Sequence, residues 1–151
     1  MMDADKPYIW RKNRLGFAMI TLDVAESENN SITEQYSGQG WVGQGNILEV
    51  SESGFESWKM AARLGLEYAF TLTGKHYSVQ ISKVEGLIIT DTNPTVIGYV
   101  TMRAFLNRVA YTMTDEEINT LEKFVAESWK KPYDKEFLPD FFSLTFKEYP
   151  L

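Results

Sequence analysis

The 151-residue sequence has no cysteine and a single histidine, His76. The first absence excludes a disulfide framework, a thiolate metal site and a thiol nucleophile. The second excludes zinc sites built from several histidines, and any Ser-His-Asp triad would have to use His76 itself. His76 follows Gly74-Lys75 in a stretch that reads as a loop, where a surface role is the default. Cationic residues are also scarce: 15 Lys and Arg stand against 21 Asp and Glu, a net charge of −6. Affinity for phosphate backbones comes from clustered Lys and Arg, so nucleic acid is disfavoured as the main partner. Nowhere do 18 apolar residues follow one another, and "MMDADKPYIWRKNR" contains no apolar run of signal-peptide length. The expectation is a cytoplasmic protein with no membrane partner.

The length suits one domain, and at this size folding buries about 70% of the surface the unfolded chain exposes. Hydrophobic residues make up 44% and charged residues 24%, which is ordinary globular usage. Aromatics are the one excess, with four Trp, eight Tyr and nine Phe, many of them in the last 25 residues. Lys6, Arg11, Lys12 and Arg14 cluster around Trp10 and read as a solvated basic arm, with contact to an acidic partner as the functional alternative.

"GFAMITLDV" places Ala18, Ile20, Leu22 and Val24 on one face, which predicts a strand with one buried side. "SITEQY" and "GNILEV" read as two more strands, and three in succession suggest an antiparallel meander. Ser53 and Glu56 have capping-box spacing before a helix whose inner face carries Trp58, Ala61, Ala62, Gly65 and Ala69. "HYSVQISKVEGLII" returns to strand period, with a bulge expected near Lys83-Val84. Asn93 before Pro94 is a strong helix start, because asparagine caps and proline fits the first helical position. Thr114 and Glu117 form a second capping box, and Pro132 closes the third helix. The aromatic tail "YDKEFLPDFFSLTFKEYPL" is expected to pack over the domain, with docking on a partner as the alternative.

Residues 16 to 110 resemble domain IV of elongation factor G and, more broadly, the second-domain fold of ribosomal protein S-five. The corresponding stretches are "ESWKMAARLGLEYAF", "YSVQISKVEG" and "TDTNPTVIGYVTMRAF". The cap here is Asp91-Thr92-Asn93-Pro94 where that family's is usually serine-rich, and nothing resembles the elongation factor's GTPase domain. The resemblance implies an α/β (α+β) two-layer sandwich with a β-β-β-α-β-α core and a left-handed crossover. The C-terminal helix and aromatic tail, residues 114–151, complete a single domain.

The chemistry is sparse. "GQGWVG" matches G-x-G-x-x-G, but strand-like residues follow it where a dinucleotide site needs a helix, so it reads as a flexible turn. Asp115, Glu116 and Glu117 are explained by helix-end electrostatics. The pattern offers no catalytic set, no metal site and no cofactor site. Asp91, Thr92 and Asn93, with Arg103 further along the helix, form the candidate binding group, at a strand-to-helix junction where ligand sites are common. Trp10, Arg11, Trp41, Phe137, Phe141 and Phe142 are the candidate partner contacts. The expected function is a non-catalytic binding or assembly module with a protein partner or a second copy of itself. A ribosome- or RNA-associated factor and a small hydrolase are the alternatives.

Overall fold

The computed structural model describes residues 6–41, 47–87 and 91–150. Its centre is β6 (Tyr77–Leu87), an 11-residue strand whose first half faces the core with Tyr77, Val79 and Ile81. On one side it pairs antiparallel with β2 (Gly16–Glu26), and β2 pairs antiparallel with β1 (Tyr8–Lys12). On its other side the first half of β6 takes β3 (Ser31–Glu34) in parallel, and the last part takes β5 (Ile47–Glu49) antiparallel. The short β4 (Gly40–Trp41) continues from β5.

Two expectations change here. The basic arm is a strand: Trp10 points inward at 9% exposure and meets Tyr99 edge-on, with ring centroids 5.5 Å apart. Tyr-Ile-Trp supplies the β-forming residues, and a left-handed Arg14 (φ 69°) turns the chain back into Gly16. The three predicted strands do not form a meander either. Both edges of β2 are taken by β1 and β6, so β3 crosses to the far side of β6 and runs parallel to it.

The bulge lies close to its expected position. Thr21 pairs with Lys83 and Leu22 with Ile81, which leaves Ser82 as the extra residue. That insertion lets Ile81 and Val84, three positions apart, face the same core.

Helices α1 (Glu56–Phe70) and α2 (Pro94–Arg108) pack on the sheet face that carries Ala18, Ile20, Leu22, Val79, Ile81 and Val84. Helix α2 is buried around most of its girth, as its nearly uncharged sequence demands. Helix α1 begins at Glu56 without the expected Ser53 cap. Gly54 (φ 87°) and Phe55 (φ 57°) are consecutive left-handed residues, and they carry Ser53 away from the helix end. Helix α3 (Asp115–Ser128) has the complete Thr114–Glu117 capping box.

The aromatic tail folds back as a hairpin, β7 (Glu136–Asp140) with β8 (Thr145–Tyr149). Phe146 stacks on Phe124 at 4.5 Å, and Phe141 lies 5.6 Å from the same ring. The architecture is therefore α+β, with helices layered on a mixed sheet and a small hairpin closing over the helices. Among the described residues no helix is long and apolar enough to cross a membrane.

Candidate binding cleft

The polar quartet is first of all a junction. The Asp91 carbonyl accepts from Phe17 N–H at 2.7 Å and so ties the end of the β6 connection to β2. Thr92 is buried, and its Oγ1 accepts from Leu87 N–H at 2.7 Å while donating to the Phe17 carbonyl at 2.6 Å. Asn93 caps α2 as expected: its Oδ1 accepts from Val96 N–H at 2.8 Å. Its Nδ2 donates to Ser128 Oγ at 2.9 Å, and that hydroxyl donates to the Val125 carbonyl. The first turn of α2 is thereby fastened to the last turn of α3.

A cleft of about 410 Å³ opens beside this junction. Thr92, Asn93 and Thr95 supply its floor from α2, and Trp58 its α1 wall. Trp129, Lys131 and Tyr133 come from the end of α3, and Phe137 from β7. Trp129 is oriented by its indole N–H, which donates to the Leu15 carbonyl at 2.6 Å. Tyr133 projects fully into solvent at the rim. The Lys131 ammonium lies over the rings of Phe137 and Phe146, 5.4 and 5.1 Å from their centroids.

The cleft unites residues from both sets of sequence candidates, Thr92 and Asn93 with Phe137. Arg103 is elsewhere. It lines a separate cavity of about 220 Å³ with Tyr8, Asn107 and Tyr111. There Arg103 donates to Tyr99 Oη at 2.7 Å and approaches Glu122 at 3.6 Å. Tyr99 Oη donates to Glu122 at 2.8 Å, and Lys12 closes the group with an ion pair to the same carboxylate. Burial pushes the Tyr99 phenol well above its ordinary range, with Arg103 opposing, so the ring stays a neutral donor. The group is a satisfied polar tie among β1, α2 and α3.

The remaining candidates divide by exposure. Trp10 and Phe141 are buried, so the expectation that they face a partner is corrected: each fills the core instead. The Arg11 guanidinium lies 4.6 Å over the Phe17 ring. Phe142 is 62% exposed at the hairpin tip, against Tyr68 at 5.1 Å. The Trp41 side chain and the last two residues of "GQGWVG", Val42 and Gly43, lie outside the described residues.

Sequence reasoning missed Trp58, Trp129, Lys131 and Tyr133 as cleft residues. Trp58 was legible as an inner-face position of its helix. That Trp58, a core residue, and Trp129, half-buried against the core, both flank the α2 start depends on how three helices meet. Among the described residues no group of three or more His, Asp or Glu is placed to hold a metal ion.

The molecule is thus an α+β protein with a ligand-sized cleft at a helix junction. Neither a protein-family model, nor a curated protein, nor a solved structure matches the chain.

Proposed function

We propose that this protein is a non-catalytic binding module, working in the cytoplasm, that holds its ligand in the cleft at the start of α2. One observation carries the reading. Three segments distant in sequence, Trp58, residues 92–95 and residues 128–137, converge on a cleft of about 410 Å³ that four aromatic residues and two prolines line together with polar and charged side chains. Small-molecule sites combine aromatic surface with placed polar groups and run about 300–1,000 Å³. Thr92 and Asn93 at its floor are already hydrogen-bonded within the chain, which does not suit attack on a ligand.

The ribosome-associated alternative rests on the S-five-like resemblance. Its basic arm is weakened as a contact surface, because Lys12 is paired with Glu122 and Arg11 covers Phe17.

Amide and indole NMR shifts on titration with a panel of neutral, anionic and cationic aromatic fragments test the proposal. Binders should perturb Trp58, Thr95, Trp129 and Phe137 together, and Tyr133→Ala at the exposed rim should weaken them. A panel that leaves these residues unmoved overturns it.

A further inference from the structure

Resting on that reading of the cleft, we propose that its ligand is a small aromatic molecule carrying a single anionic group such as a carboxylate. The aromatic body follows from the walls. Trp129, Tyr133 and Phe137 line the cleft together with the largely buried Trp58, and the volume of about 410 Å³ matches a one- or two-ring compound.

The sign of the charge follows from what is already committed. Three charged side chains line the cleft: Lys131, Lys135 and Glu136. The Lys135 ammonium is 3.2 Å from Glu148, and Glu136 Oε2 accepts from Ser57 Oγ at 2.8 Å. Among the described residues Lys131 has no carboxylate partner; its ammonium contacts only ring faces. Such contacts at exposed sites are weak, so a ligand carboxylate recruits this lysine without breaking an ion pair.

The helix ends do not decide the matter. The positive start of α2 and the negative end of α3 meet in the same cleft, joined through Asn93 and Ser128, and their fields largely offset one another. Lys131 is left as the uncompensated charge. Glu136, also in the lining, disfavours a second negative group, which limits the ligand to one.

The test uses indole-3-acetate, indole and tryptamine as probes of matched ring and differing charge. Affinities are read from NMR titration of the full chain. Indole-3-acetate should move the Trp58 and Trp129 indole signals and bind at least about tenfold more tightly than tryptamine, with indole between them. Lys131→Gln should abolish the preference for indole-3-acetate over tryptamine. Lys130→Gln, whose lysine pairs with Glu127 at 3.2 Å, should leave the preference intact. Unchanged amide dispersion in both variants confirms that folding is preserved. Equal affinity of the three probes at the cleft overturns the anionic class but leaves the cleft as a binding place. Absence of shifts at the cleft with any probe overturns both.

Discussion

Gly65 and Gly98 are in backbone contact where α1 and α2 cross, so close that a β-carbon on Gly65 would overlap the Gly98 carbonyl group. A β-carbon on Gly98 would in turn lie 2.8 Å from the Ala61 carbonyl oxygen and 2.9 Å from the Phe141 ring. The two small residues thus set the spacing of the helix layer and the seat of the aromatic hairpin.

Gly65→Ala gains about 1 kcal/mol of helix propensity and loses more to overpacking against backbone that has nowhere to move. A net destabilisation of about 1–3 kcal/mol is expected, read as a lower urea midpoint with an unchanged slope. An alanine variant as stable as the parent would show that the helices are further apart than described.

Glu49 and Glu85 stand opposite each other on β5 and β6. Burial, and then the Glu49 charge, raise the Glu85 carboxyl above its ordinary range, with Lys83 opposing. The folded state then holds this proton more tightly than the unfolded chain. Stability should therefore fall as pH rises from the ordinary glutamate value to the raised one, and this group adds no slope outside that window. Glu85→Gln removes the penalty. At neutral pH it is expected to be more stable than the parent by roughly 0.2–1 kcal/mol, the size of a cross-strand like-charge contact. The gap should close in acid below the glutamate range, as urea unfolding across pH would reveal; a gap of constant size would refute the ionic cause.

Much of this architecture was legible because local chemistry and final structure agree. Alternation in "GFAMITLDV" gave β2, and the Asn93-Pro94 and Thr114–Glu117 signals gave two helix starts to the residue. What escaped depends on partners remote in sequence. Lys12 looks like a solvated charge until Glu122, 110 residues on, is brought beside it, and Trp10 looks like a contact until Tyr99 covers its face. The parallel pairing of β3 was invisible for the same reason, since its alternation fixes which side is buried but not which strand it joins. The cleft was half legible. Its polar floor announced itself as a helix cap, whereas its walls come from the ends of α1 and α3 and from β7, whose meeting point no local pattern encodes.

The Glu122 group predicts an unequal response to removing its members. Lys12 keeps 55% of its side chain in water, so Lys12→Met should cost less than about 1 kcal/mol. Glu122→Leu removes the acceptor of the fully buried Tyr99 hydroxyl and strips Arg103 of its carboxylate, and is expected to cost about 3 kcal/mol or more. Tyr99→Phe combined with Glu122→Leu should cost less than the sum of the two, because the second change removes the group the first left unpaired. Additive costs in the double-mutant cycle would mean that the tyrosine and the glutamate do not interact.

Thr92 decides whether the polar quartet is a junction or is kept for a ligand. Its hydroxyl joins the Leu87 N–H to the Phe17 carbonyl, and its methyl group fills the space above Gly86. Thr92→Val keeps the shape and deletes the hydroxyl, stranding a donor and an acceptor in a buried position. At about 1–3 kcal/mol for each unsatisfied group, the combined cost is expected to be about 2–5 kcal/mol. Thr92→Ser keeps both hydrogen bonds and loses one methyl group, for about 1 kcal/mol. The predicted order of urea midpoints is parent, serine, valine, with the larger step between serine and valine. The reverse order, with valine matching the parent, would mean that packing alone holds this corner and that the hydroxyl is free for something else. A hydroxyl whose one proton is held by a backbone carbonyl, on a side chain 2% exposed, has little to give a ligand, so the predicted order leaves recognition to the rings and to Lys131.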